Sequence, residues 1–268
     1  MSVQISDSDI EALCEAVNLL EHPSLAARLA NLAGTPIELF SHALPIGASR
    51  AISAATTKGL QAALRVAVLT TQKRTEKRSI ALHRVLATAS GAAGGAFGIA
   101  GISIELPIST VIMLRSIVDI ARGESENLSD PESALSCIQV FALGGRATTN
   151  DAAEAGYFAV RGLFAKSLAE AARFIAERGV VEEGAPVLVR LLTQVASRFG
   201  VVVTQKIAAQ AIPVIGALGG GAVNYAFVCH FQDVARGHFT VRRLERSYGK
   251  ELIRKEYERL VRENRPPL

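Results

Sequence analysis

The sequence predicts an all-α protein, a single bundle-like domain over residues 1–268 with two glycine-rich apolar helical hairpins at its centre. Three observations lead there. Two long stretches are almost free of charge: Val85–Leu114, with Glu105 alone, and Ile207–Gln232, with no Asp, Glu, Lys or Arg and the single imidazole of His230. Hydrophobic residues make up 49% of the chain while aromatics make up 5% and Trp is absent, so the core must be built mainly from Ala, Leu, Val, Ile and Gly, a composition that favours helix over strand. Helix start and stop signals also recur along the whole chain.

The first element opens on Ser8-Asp-Ile-Glu11, which has the spacing of a capping box, and Ile10, Leu13, Cys14, Val17 and Leu20 follow at helical spacing. Thr35-Pro36-Ile-Glu38 repeats the start signal and Pro45 stops that short helix, so residues 1–44 read as N-terminal amphipathic helices. A longer helix is predicted from Gly47 to Lys73, with Arg50, Lys58 and Arg65 on its wetter side. The first apolar stretch reads as helix, a break at Ile102–Leu106, and a second helix from Pro107 to Ala121 with Gly123 as the C′ residue. Ser129-Asp-Pro-Glu132 restarts the chain as a helix to Leu143, which Gly144-Gly145 end. Helices are then expected from Asp151 to Arg178 and from Pro186 to Phe199. Val201–Ile212 begins β-branched, so strand competes with helix there, and helix is preferred. Pro213 and Gly216–Gly221 predict a second break before a closing helix, Asn224–Ala235. Charges dominate Arg242–Asn264, which reads as a surface helix with the i,i+4 pairs Glu251/Lys255 and Glu258/Arg262 and an apolar stripe of Leu244, Leu252, Ile253, Tyr257 and Leu260.

Close interhelical packing is expected at the small-residue pairs Gly91/Gly95, Gly94/Gly98 and Gly216/Gly219. The phrases Asp119-Ile-Ala-Arg-Gly123 and Asp233-Val-Ala-Arg-Gly237 echo one another, which suggests two hairpins packed as a pseudo-pair. The apolar stretches are rich in Ala, Gly, Ser and Thr and interrupted by proline, so burial inside protein is favoured over a bilayer span.

The net charge of +4 is mildly basic, and no nucleic-acid-binding motif accompanies it. Three scattered cysteines, Cys14, Cys137 and Cys229, with no CxxC fit buried thiols in a reducing compartment. The N-terminus lacks the pattern of a signal peptide, so a cytoplasmic location, peripheral to the membrane, is the expectation. Lys73, Arg74, Lys77, Arg78 and Arg84 form a basic cluster just before the first apolar stretch. Beside a bilayer such residues contribute roughly 1 kcal/mol each through anionic head groups.

No phosphate-binding loop, zinc-protease motif, nucleophile elbow or dinucleotide fingerprint occurs. Ser247-Tyr-Gly-Lys250 matches SxxK within an exposed, charged stretch. The polar groups of interest are those set among apolar residues, because burying them is costly unless they are paired. These are Glu105, Arg115, Asp119, Asn224, His230 and Asp233. Arg115 and Asp119 can pair at i,i+4, and His230 and Asp233 at i,i+3 can face one partner. Glu105, Asp119, His230 and Asp233 are of the oxygen and imidazole type that divalent metals accept, although the sequence names neither metal nor cofactor.

The chain resembles the EcsC family of bacterial proteins over about residues 45–250. The residues that carry the resemblance are Val203-Thr-Gln-Lys206, Ala211-Ile-Pro-Val-Ile-Gly-Ala-Leu-Gly-Gly-Gly221, Asn224 and Arg243-Leu-Glu245, with Gly94-Gly95, Glu105-Leu-Pro107, Arg115 and Asp130-Pro131 earlier in the chain. The resemblance implies a helical protein tied to membranes or transport and carries over no catalytic residues.

The leading expectation is a non-enzymatic accessory protein at the cytoplasmic membrane face, with an anionic membrane surface or a membrane protein as partner. A metal-assisted hydrolase using Glu105, Asp119, His230 and Asp233 is the second reading, and a membrane-inserting or pore-forming protein the third.

Overall fold

Every residue from Ser133 to Leu143 is buried, so the helix that carries them is surrounded on all sides. A computed structural model describes residues 4–21, 25, 28–29, 48–72, 98–145, 156–178, 184–210 and 213–264, and among these it shows eight helices and no strand. They are α1 (Asp7–Glu21), α2 (Ala48–Gln72), α3 (Gly98–Gly123), α4 (Pro131–Leu143), α5 (Tyr157–Arg178), α6 (Pro186–Gln210), α7 (Pro213–Tyr248) and α8 (Lys250–Glu263). The short buried α4 is the axis, in contact with α2, α3, α5, α6 and α7. The fold is all-α, as expected, but its centre is α4 with its neighbours and not a pair of hairpins.

Local chemistry sets most boundaries. Asp130, extended at φ −81° and ψ 125°, accepts the amides of Glu132 (3.3 Å) and Ser133 (3.2 Å), and Pro131 follows as the first helical residue of α4. The cap of α1 is Ser6, not Ser8: its hydroxyl accepts the Asp9 amide at 3.3 Å and donates to the Asp9 carboxylate at 3.1 Å. The C-terminus of α3 closes through Ser125, not Gly123. Ser125 takes the left-handed conformation (φ 59°), with bonds from its amide to Arg122 O and from the Glu126 amide to Ala121 O.

Three expected interruptions are absent. α3 runs unbroken through Ile102–Leu106 with Pro107 inside it. Ser109 and Thr110 donate their hydroxyls to Leu106 O (3.1 and 2.7 Å), next to the backbone hydrogen bond that Pro107, lacking an N–H, cannot make. α6 continues past Gly200, which disposes of a strand after Val201 as far as Gln210. α7 runs through Gly216–Gly221, so Asn224–Ala235 is one section of a 36-residue helix about 54 Å long. The charged stretch from Arg242 divides at Gly249 (φ 91°), a backbone conformation that only glycine adopts readily. Its first part belongs to α7. The second is α8, with Ile253, Tyr257 and Leu260 buried and with ion pairs Arg254–Glu258 and Arg259–Glu263 instead of the expected Glu251/Lys255 and Glu258/Arg262. The start expected at Asp151, the helix from Thr35 and the pairs Gly91/Gly95 and Gly94/Gly98 lie outside the described residues or their described surroundings, as does the packing at Gly216 and Gly219.

α3 and α7 lie side by side and run the same way. Gln232 Nε2 donates to Ser116 Oγ at 2.6 Å, and further along Arg242 Nε donates to Glu126 at 2.7 Å, both 116 residues apart. The echo phrases therefore face one another as neighbouring turns of parallel helices, and each folds alike. Arg122 donates to Asp119 (3.2 Å) and Arg236 to Asp233 (2.8 Å), both at i,i+3. The core between α4, α6 and α7 is aromatic despite the scarcity of rings: Phe141, Phe199, Phe227 and Phe231 meet with centroids 4.9–6.1 Å apart.

α1 crosses α7 at Gly237, where a Cβ would stand 2.7 Å from Leu20 Cγ and 3.1 Å from the Ala16 carbonyl oxygen. Gly237→Ala is expected to destabilise the protein by about 1–3 kcal/mol, because a backbone oxygen cannot rotate away. Urea unfolding followed by circular dichroism measures it, with Gly162→Ala, inside α5 on an open surface, as the control, which should raise the midpoint slightly instead of lowering it.

Candidate functional site

Lys206 and Glu105 meet in the interior. Lys206 Nζ donates to Glu105 Oε1 at 2.7 Å across α6 and α3, with side chains 1% and 7% exposed. The ammonium also sits over the Phe227 ring of α7, 4.8 Å from its centroid. Asn224, buried one turn before Phe227, shares that face of α7 by its i,i+3 spacing. Burial pushes the Lys206 pKa below its ordinary value, against the opposing pull of the Glu105 carboxylate. Three helices thus converge on one ion pair. Glu105 was legible as a buried acid, but its partner was not.

The other candidate residues do not join this pair. Asp119 lies fourteen residues beyond Glu105 on the same helix, about 21 Å away by the helical rise. It takes Arg122, and Arg115 is exposed, so the expected Arg115–Asp119 pair is not formed. His230 and Asp233 do not share one partner either. Asp233 accepts from Arg28 (2.6 Å) and Arg236 (2.8 Å), while His230 Nε2 donates to Gly144 O at 2.8 Å. Arg198 of α6 completes that cap, donating to Ala142 O (3.0 Å) and Gly145 O (2.6 Å). His230 is thus a distant C-cap of α4, supplying a donor to carbonyls that the helix leaves open. Among the described residues no group of three or more His, Cys, Asp or Glu side chains could hold a metal ion. Cys137 is buried and its thiol pushed up to about 12, chiefly by that burial; Cys14 and Cys229 are half-buried. Ser247 donates to Arg243 O and Lys250 is exposed, so the SxxK spacing forms no pair. The basic residues Lys73, Arg74, Lys77, Arg78 and Arg84 lie outside the described residues.

A second buried assembly went unrecognised in the sequence. It occupies the C-terminal ends of α3 and α7. Glu126, buried after the Ser125 turn, accepts from Arg242 (2.7 Å), Arg246 and Ser133 (3.0 Å). Burial alone would raise its pKa, but Arg242 and Arg246 hold it below the usual carboxylate range. Arg161 of α5 makes a two-pronged bond to Glu245 (2.8 and 2.7 Å). Tyr157 OH and His238 Nδ1 lie 2.8 Å apart. His238 is fully buried; that burial, with Arg161 and Arg242 close by, pushes its pKa well below the ordinary value. Arg243 reaches Asp9 (2.9 Å) and Glu124 (2.8 Å), and Glu21 of α1 accepts the Tyr157 amide (3.1 Å) and Tyr257 OH (2.8 Å). The signal in the sequence was the run Arg242-Arg-Leu-Glu-Arg246, which reads as a solvated face until acids on other helices claim it.

Residues 10–244 match the model of the EcsC protein family. The chain belongs to the EcsC family. The match runs from Ile10, in the first turn of α1, to all but the last turn of α7, and leaves α8 beyond it. Among the phrases that resemble the family, Glu105-Leu-Pro107 meets Val203-Thr-Gln-Lys206 through the buried ion pair, and Asp130-Pro131 starts α4. No curated protein and no solved structure matches the chain.

Two expected outcomes follow from the buried imidazoles and from Glu126. His230, lowered to about 4 by burial with the Gly144 carbonyl opposing, and His238 are neutral in the fold. Both take up a proton on unfolding below pH about 6.5, so stability is full above that value and is lost as pH falls toward 4, by about 1.4 kcal/mol per pH unit for each ring. Urea midpoints between pH 7.5 and 5 should show this slope, and His230→Gln with His238→Gln should flatten it. Glu126→Ala leaves Arg242 buried without its main counter-charge and is expected to cost about 3–5 kcal/mol, read by the same unfolding curves.

Proposed function

We propose that this EcsC-family protein is a non-enzymatic accessory that docks on an anionic membrane surface. The observation that carries this reading is one face of α3. Ile104 is 69% exposed and Ile108 48% exposed, Val111 and Ile112 are half-buried on the same side, and the exposed Arg115 ends the stripe. These positions fall at i, i+4, i+7, i+8 and i+11, which is a single face about 16 Å long. An apolar stripe that finishes on an arginine suits the boundary between acyl chains and head groups. The basic residues Lys73, Arg74, Lys77, Arg78 and Arg84 precede this helix in the sequence and add attraction for anionic lipid.

Reading the protein without catalysis is supported by the fate of the titratable groups. Glu105, Asp119, His230 and Asp233 each serve a different partner, and each joins helix to helix or one turn to the next. Among the described residues one helix, α6, is long and apolar enough to cross a membrane. It packs against α2, α4, α5 and α7 and carries the buried Lys206, which supports its place inside the protein.

Flotation with phosphatidylcholine vesicles, with and without phosphatidylglycerol, tests the reading. The full chain should float with the anionic vesicles. Ile104→Asp with Ile108→Asp should weaken binding at least about tenfold, since each isoleucine contributes roughly 1.5 kcal/mol or more when removed from water. Failure of the wild-type protein to bind either vesicle overturns the reading, and release of a trapped dye favours insertion or pore formation over docking.

A further inference from the structure

We infer that the Glu105–Lys206 ion pair is a latch on the N-terminal arm of α3, and that contact with an anionic bilayer opens it. The inference rests on the membrane reading above and assigns a control to the same face. Three features meet within a few residues. Pro107 has no amide to give the Ser103 carbonyl, so the helical ladder loses a rung between the arm, Gly98–Leu106, and the rest of α3. Thr110 and Ser109 back-bond to Leu106 O at that point, an arrangement that favours bending. On the arm side of the proline, Glu105 reaches inward to Lys206 while Ile104 points outward into solvent. A bend at Pro107 would therefore turn the exposed isoleucine and pull the carboxylate from its partner in one movement.

The pair suits a latch better than a permanent rivet. Its two members are ions inside a low-dielectric interior, and such a pair gains little over well-packed apolar side chains while giving a strong geometric preference for the closed form. Lys206 keeps a second site for its charge on the Phe227 ring, so opening does not strand the ammonium entirely. A surface that binds the open arm better than the closed one shifts the equilibrium by that difference in affinity. Weakening the latch should then raise the fraction that is competent to bind and lower the apparent dissociation constant in proportion.

Hydrogen exchange on the full chain, read by mass spectrometry, separates the latch from the membrane reading. Without lipid, Glu105→Gln should exchange the arm amides at least about tenfold faster than wild type while α4 is unchanged. Pro107→Ala, which restores the missing rung, should slow them. With vesicles of phosphatidylcholine and phosphatidylglycerol, affinity should rank Glu105→Gln above wild type and wild type above Pro107→Ala. Unchanged arm exchange in a natively folded Glu105→Gln protein overturns the latch, and if that variant does not fold, unchanged exchange in Pro107→Ala overturns it. If arm exchange responds as expected but no variant binds vesicles, the membrane reading falls and the bilayer trigger with it, while the ion pair stands as the restraint on the arm.

Discussion

The Glu126 carboxylate is withdrawn from water at the turn between α3 and α4 and is held there by Arg242, Arg246 and Ser133. A buried charge without its counter-charge is strongly unfavourable, so this contact constrains more than two side chains. It fixes the end of α3 against the end of α7, and Ser133 belongs to the first turn of the central helix. Around it the neighbouring charges are matched in the same manner. Arg161 brings α5 to α7 through Glu245, and Arg243 brings α1 to both α7 and the end of α3 through Asp9 and Glu124. The apolar core supplies most of the driving force. The ion pairs decide which of many greasy packings is adopted.

The parallel course of α3 and α7 follows from that constraint. With their C-terminal ends joined at Glu126, the two copies of the Asp-x-Ala-Arg-Gly phrase come to lie as neighbouring turns, each with its own Asp–Arg pair at i,i+3. Gly237 of the second copy lets α1 lie close on α7, whereas Gly123 of the first faces open space. The likeness of the phrases thus extends to helix-internal pairing and stops where different neighbours are met.

Local signals made much of this fold legible. Asp130-Pro131 announces α4 because an N-cap acid and an N1 proline act within one turn. Glu105, Asn224 and His230 stood out because polar groups among apolar residues must be satisfied. The partners were not legible. Lys206 is 101 residues from Glu105, and Gly144 is 86 from His230; which helix faces which is a tertiary fact that no window of sequence contains. The same limit explains Pro107 and Gly216–Gly221. Proline and glycine lower helix propensity locally, but packing against neighbours can keep a helix unbroken. Arg242–Arg246 misled for the opposite reason, since a run of charge looks solvated until Asp9 of α1, Glu124 and Glu126 after α3, and Arg161 of α5 are brought to it.

Because α3 and α7 are parallel, the molecule has two unlike ends. At one end, where both helices finish, arginines and acids from α1, α3, α5 and α7 are interlocked, and α8 adds Tyr257 to that assembly through Glu21. At the other end, toward Gly98 of α3 and Pro213 of α7, a glycine-rich backbone runs beside exposed Ile104 and Ile108, with exposed Tyr225 at a similar height on α7. Described ion pairs there reduce to Glu105–Lys206, which is buried. Opening the interlocked end would break several buried charge pairs together, whereas a change at the glycine-rich end has one pair to break and a proline already in place. The burial of charge therefore makes a rearrangement less costly at the glycine-rich end, beside Ile104 and Ile108, than at the interlocked one.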